Sequence, residues 1–249
     1  MSPEFTLRPI RPQECSHIVA LHRAAFPAEE VKRTIYGCPH PERYLASLIA
    51  FPTMQREHIL EGVWEGKELI GYVHLRLLRE ALHLNYIAVL PEYQGRGVGR
   101  TLWGWCTDHA RKLHYKAISL DVSQKNSRAL AWYHRKGFKI IQRTWVYEKS
   151  LQSGSGCPAE VSLLDWDDAE AWQAYYGFSQ FHLVYQDKTW SIGRLGLLYF
   201  RMSERPPEAI ETTLTNIDPD RSLLIVSPTQ IQDNDFIEVG ITLRMYGPS

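Results

Sequence analysis

The sequence predicts a mixed α/β fold in two parts, and three observations carry that reading. Short runs with period-two alternation, such as "AISLDV" at 117–122, sit between segments whose apolar residues recur three and four apart. The stretch "YIAVLPEYQGRGVGRTLW" (86–103) passes from strand to helix through a proline and three glycines. A Ser/Gly run, "LQSGSGCP" (151–158), then interrupts the chain as a linker. The expected division is 1–150, a linker at 151–158, and a smaller α/β region at 159–249.

In order, "FTLRPI" (5–10) reads as an edge strand, where proline is tolerated. Pro12 opens a helix whose Ile18, Leu21 and Ala25 share a face, and a second helix with Tyr44, Leu45, Leu48 and Ile49 follows Pro41. Strands at 58–64 and 69–78 flank a tight "EGK" turn, and a third covers 82–90 until Pro91 stops it. A helix from Arg100 to about Leu113 groups Leu102, Cys106, His109, Ala110 and Leu113 on one face. Ala117–Val122 is a strand, and Asn126 caps a helix that runs to Lys136 and is closed by Gly137. A strand from Phe138 to Tyr147 follows. Beyond the linker, "FHLVYQDKTWSIGRLGLLYFRM" reads as strands around a "QDK" turn. "PPEAIETTL" reads as a helix, and "SLLIVSP" and "FIEVGITLRM" as two further strands.

Composition excludes several function classes. Lys+Arg and Asp+Glu number 28 each, so a chain built to coat nucleic acid or an anionic membrane is not expected. No apolar run approaches the roughly 20 residues of a spanning helix; the longest, "LGLLYF" (195–200), is strand-sized. Glu4 and prolines interrupt residues 1–13, where a secretion signal needs an unbroken apolar region. Cys15, Cys38, Cys106 and Cys157 show no CxxC spacing and no paired histidines. Free thiols, no metal and a cytoplasmic location are the expectations.

Glycines at 95, 97 and 99 allow positive φ and close approach of a ligand. Successive amides there form an anion cradle, and the helix that follows adds its positive end. Phosphate or pyrophosphate is the natural guest. A dinucleotide fingerprint would need glycine where Arg100 stands, and a P-loop Gly-Lys-Ser/Thr is missing. On these residues alone, a glycine-rich turn without a ligand stays open.

"QGRGVG" (94–99), after a strand ending in "IAVLPEY", resembles the Gln/Arg-x-x-Gly-x-Gly/Ala signature of the Gcn5-related N-acetyltransferase (GNAT) superfamily. "LDVSQKNSRALAWYHRKGF" (120–138) is similar to that family's fifth strand and fourth helix, and order and spacing agree over about residues 5–148. The resemblance implies a GNAT fold: a central, mostly antiparallel sheet flanked by helices. It implies acetyl-CoA as co-substrate and a primary amine as acceptor, on a protein or a small molecule. It assigns the backbone of Ile87, Ala88 and Val89 to the pantetheine arm, and Gln94, Gly95, Arg96, Gly97, Val98, Gly99 and Arg100 to the pyrophosphate. Asn126 falls where the cofactor arm is bound, a role compatible with capping its helix. Tyr133 falls at the general-acid position, although a helix aromatic packed in the core is the ordinary alternative.

An amine with pKa near 10.4 is only about 0.04% neutral at pH 7, so a base is worth having. Asp121, turned away from Leu120 and Val122, matches the acidic position of enzymes that modify protein N-termini. His83 falls where a branch acting on lysines carries a glutamate. Glu61 is a third choice, and a water chain a fourth. Glu29 and Glu30 lie in the loop (29–40) that the resemblance assigns to the acceptor pocket.

The C-terminal region reads as a worn copy: "VS" recurs at 122–123 and 226–227, and "FKIIQRT" (138–144) resembles "FIEVGIT" (236–242). The segment between Val226 and Phe236 is too short for a helix equivalent to the one carrying Tyr133, and no Gln-x-x-Gly-x-Gly occurs. A degenerate GNAT-like companion is expected, covering a sheet edge, shaping the acceptor site or dimerising. The alternative function is a non-catalytic acyl-CoA-binding or interaction module.

Overall fold

The computed structural model describes residues 5–51, 57–151 and 161–249. Two compact units divide the chain: Met1–Glu30, Glu42–Gln142 and Leu243–Ser249 form the first, Val31–Pro41 and Arg143–Thr242 the second. The sequence reading cuts the chain once, at 151–158, of which only Leu151 lies within the described residues. The division instead falls inside two strands, after Gln142 and after Thr242. Long-range pairing is the reason. Residues 145–150 pair antiparallel with 222–227, and Cys38 packs with Leu195, Tyr199 and Leu224.

The first unit contains strands β1 (Thr6–Pro9), β2 (His58–Glu65), β3 (Glu68–Leu77), β4 (Leu82–Val89) and β5 (Ala117–Ser123). Its helices are α1 (Cys15–Ala25), α2 (Pro41–Ala50, in this unit from Glu42), α3 (Val98–Lys112) and α4 (Ser127–Arg135). Strand β6 (Lys139–Ser150) begins in this unit. Strands β1 to β4 pair antiparallel in sequence order, while β4 and β5 are parallel. The end of the C-terminal strand β12 (Ile237–Pro248) belongs to this unit, in the order β5-β12-β6.

Strand β3 is buried from Leu69 to Leu75, as befits a central strand covered on both faces. Helix α1 buries Cys15, Ile18, Val19, Leu21 and His22. On α3 the buried stripe is Val98, Leu102, Trp103, Cys106 and Ala110. Leu113, expected in that stripe, follows the last helical residue and is 40% exposed, and Trp103 fills the face instead.

The second unit orders its strands β6-β11-β10-β9-β8-β7. These are β7 (Ser162–Leu164), β8 (Phe178–Tyr185), β9 (Lys188–Leu195), β10 (Tyr199–Met202) and β11 (Ser222–Ser227). Helix α5 (Trp166–Tyr176) precedes β8 and α6 (Glu208–Ile217) precedes β11. Gln186 and Asp187, both at positive φ, make the expected turn. "LGLLYF" is no single strand: Gly196–Leu198 turns the chain between β9 and β10, leaving Leu197 75% exposed. Helix α5 escaped the sequence reading because it shows no apolar stripe: Ala169 is its one buried residue, while Trp172 and Tyr175 are exposed.

Candidate active site

The glycine turn and the helix it opens form one continuous feature. Pro91–Tyr93 makes a single 3-10 turn, Gly95 and Gly97 lie at φ 80° and 93°, and α3 starts at Val98. A side chain at either glycine would be strained in this left-handed region. Gly97 caps the helix with no side-chain bond, and the first intrahelical acceptor, the Gly97 carbonyl, serves Arg100 and Thr101. The amides of Gly97, Val98 and Gly99 consequently donate to no protein acceptor among the described residues. Cations gather nearby. Arg96 lies over Tyr93, and Arg128 reaches from α4 to donate to Gln94 Oε1 at 2.9 Å. Lys136 sits over Trp103 and Trp132, its pKa lowered by burial and then by Arg100. Arg128 and Lys136 belong to the second sequence motif, and nothing in its spacing announces that they join the first.

The strand feeding this turn outruns its partner. Strand β4 pairs with β3 as far as Val89, but with β5 only at Leu82, His83 and Leu84. Among the described residues no strand pairs with Ile87, Ala88 and Val89 on the β5 side of β4. A bulge marks the departure: His74 faces Tyr86 and Leu75 faces Leu84, so Asn85 is the extra residue.

Polar side chains collect on the sheet face toward α1, where His22 bonds the Tyr72 hydroxyl at 2.6 Å. His58, His74 and Asn85 form a chain of 2.9 and 3.0 Å contacts. The Asn85 amide nitrogen only donates, so His74 Nδ1 accepts and His74 Nε2–H donates to His58 Nδ1. Burial lowers the pKa of His74 to about 3 and that of His22 to about 3, so both rings are neutral. His83 is also buried, with Nδ1 3.0 Å from Ser119 Oγ and Nε2 3.9 Å from Asp121 Oδ2. Burial lowers its pKa to about 4, against the opposing charge of Asp121.

Asp121 turns outward from buried Leu120 and Val122, and both its oxygens accept from Arg244 of β12, one from Nε and one from Nη2 at 2.8 Å. The sequence reading missed Arg244, which stands 123 residues away. Glu61 is 5% exposed and pairs with Val73, next to His74 on β3. Strand alternation therefore puts it on the opposite face from His74, toward Cys106 of α3. Burial pushes its pKa up to about 7.

On α4, Asn126 Oδ1 accepts from the Ala129 amide at 3.0 Å, the capping role. Tyr133 is buried against Trp103, Trp132 and Phe138, and its hydroxyl makes no protein hydrogen bond among the described residues. Burial, then the negative potential of Cys106, raises its pKa, so the phenol keeps its proton. Of the loop at 29–40, Glu29 and Glu30 belong to the first unit and 31–40 to the second. Cys15, Cys38 and Cys106 are buried and form no disulfide among the described residues, while Cys157 lies outside them. Among the described residues no group of three or more metal-ligating side chains occurs, and no helix is long and apolar enough to cross a membrane.

Residues 20–138 match the model of the acetyltransferase (GNAT) family. The chain carries a GNAT domain. It is similar to a mycothiol acetyltransferase of Corynebacterium efficiens, 32% identical over 98 residues, 39% of this chain and 33% of that protein. It is also similar to the N-alpha-acetyltransferase RimI of Mycobacterium tuberculosis, 36% identical over 84 residues, 32% of this chain and 51% of that protein. The match thus spans about a third of the first relative and half of the second. A tandem GNAT protein from the clavulanic acid biosynthesis pathway superposes with a TM-score of 0.69 at 16% identity, covering 99% of this chain and all of that one. The whole chain therefore has a tandem GNAT fold.

Proposed function

We propose that the protein is an acetyl-CoA-dependent N-acetyltransferase that acylates a primary amine, with the catalytic machinery in the first unit. One observation carries the reading: a strand with an unpaired backbone edge leads directly into three undonated amides at an uncapped helix start. An elongated ligand with a polar arm and a diphosphate complements that surface. The amides of Gly97, Val98 and Gly99, with Gln94, Gly95, Arg96 and Arg100 around them, hold the diphosphate; Arg128 and Lys136 add positive charge. The edge at Ile87, Ala88 and Val89 aligns the arm as a strand would.

Acetyl-CoA, when bound, supplies an acyl carbon activated by a good thiolate leaving group. The chain's own residues orient the acceptor and move protons. As the amine nitrogen bonds the acyl carbon and the carbon–sulfur bond breaks, one proton leaves the nitrogen and one reaches sulfur. Tyr133, protonated and with a hydroxyl that makes no hydrogen bond among the described residues, donates to sulfur. The proton acceptor lies on the α1 face, with His83 and Asp121 as its candidates; Glu61, on the other face, is set apart.

Thiol release from acetyl-CoA across a panel of amines (amino acids, polyamines, aminoglycosides, peptides with free N-termini) tests this. Turnover with at least one acceptor class is expected. Tight coenzyme A binding without turnover on any of them would instead mark a binding module.

A further inference from the structure

We propose that Arg244, on the last strand of the chain, is a positioning residue that engages Asp121 as its counter-ion and leaves His83 to take the acceptor's proton. The proposal rests on the acetyltransferase reading above. Arg244 occupies both oxygens of Asp121 in the side-on, two-bond geometry that guanidinium and carboxylate favour. With both oxygens held by Arg244, Asp121 serves as the guanidinium's partner rather than as the group that receives the amine's proton. His83 on the neighbouring strand pairs with Ser119, two residues before Asp121 on β5, and its Nδ1 lies 3.0 Å from Ser119 Oγ.

When Nδ1–H donates to Ser119 Oγ, the Nε2 lone pair is the free basic site, 3.9 Å from Asp121 Oδ2. An imidazolium formed there is stabilised by the carboxylate without a direct hydrogen bond. Among the described residues the groups facing His83 are Ser119 and Asp121 on β5, Arg76 and His74 on β3, and Arg244 on β12. Asp121 favours the charged ring; Arg76 and Arg244 oppose it, and His74 is neutral. Arg244 therefore acts on His83 by its charge, which opposes that of Asp121. Burial above all keeps the ring neutral across physiological pH, and Arg244 and Arg76 act in the same direction. The proton passes from the amine nitrogen to His83 Nε2 as the nitrogen bonds the acyl carbon, when that nitrogen becomes far more acidic than the free ammonium.

The test compares wild type, Arg244→Gln, Arg244→Lys and His83→Ala in the full chain. Histidine titration by NMR is read alongside the pH profile of kcat/KM. In Arg244→Gln the His83 midpoint should rise by about one unit or more, because one opposing cation is lost. The acidic limb of the profile should rise with it, so activity falls more at pH 5 than at pH 7. Arg244→Lys should restore part of both shifts, and His83→Ala should remove the limb. A misfolding effect would move neither value in this coordinated way. If an active Arg244→Gln enzyme keeps both the midpoint and the limb of wild type, Arg244 has no such role. If wild type releases no thiol with any amine, the acetyltransferase reading fails and takes this proposal with it, even where the midpoint moves.

Discussion

The two units solve the same topological problem with opposite consequences for a ligand. Each has antiparallel strands that meet a parallel neighbour, and each inserts a helix before that neighbour: β4, α3, β5 in the first unit and β10, α6, β11 in the second. In the first, β4 has eight residues and pairs with β5 through only three, so its backbone edge is open where the strand ends. In the second, all four residues of β10, Tyr199–Met202, pair with β11. The turns differ as sharply. Gly95 and Gly97 precede α3, whereas Pro206 and Pro207 precede α6, and proline offers no amide to an anion. Glu208 and Glu211 then occupy the first turn of α6, where they complement the helix dipole themselves. The lesson is that a GNAT-like topology is insufficient for the proposed site. The strand must outrun its partner, and the following helix must be left uncapped.

Calorimetry should find one coenzyme A per chain; two would mean that the second unit binds as well. Gly97→Leu places a side chain in the cradle and should weaken that binding by at least about 100-fold, roughly 3 kcal/mol. Its folding cost is only about 1–2 kcal/mol for a left-handed residue, so circular dichroism should be unchanged at 20 °C. Affinity equal to wild type would end the cradle assignment.

Next in size is Tyr133→Phe. Loss of the donor should lower kcat about 10- to 100-fold with KM changed less than about twofold. The second unit has no helix between β11 and β12 to supply a substitute. Equal kcat would return Tyr133 to a packing role.

A stability effect separates Glu61 from the site. Its folded-state pKa of about 7 lies above the ordinary 4.5, so the folded chain holds this proton more tightly than the unfolded one. The resulting stability is fully present below pH 4.5 and lost as pH rises through 7. Glu61→Gln should raise Tm at pH 8 by about 4–8 °C, roughly 2 kcal/mol, and leave it unchanged at pH 4. A rise of the same size at both pH values would show that the charge is not responsible. Smallest is Asn126→Ala, which removes a helix cap worth about 1 kcal/mol, or about 2–4 °C. Unaltered coenzyme A affinity in that variant would confine Asn126 to capping.

What could be read in the sequence was local. The "QGRGVG" turn is contiguous, so its glycines, the strand before it and the helix after it follow from neighbouring residues, as do the Asn126 cap and the Gln186–Asp187 turn. "FKIIQRT" and "FIEVGIT" each run from a Phe just before the strand into β6 and β12. The tertiary structure alone decided the rest. Which strand residues remain unpaired depends on register between segments more than thirty residues apart, and periodicity carries no register between strands. The same holds for Arg244 on Asp121, His83 beside Ser119, Arg128 on Gln94, and the assignment of 31–41 and 243–249 to their units. A side chain's propensity is set by its neighbours in sequence, but its partner is set by which strands come together, and that choice minimises the free energy of the whole chain.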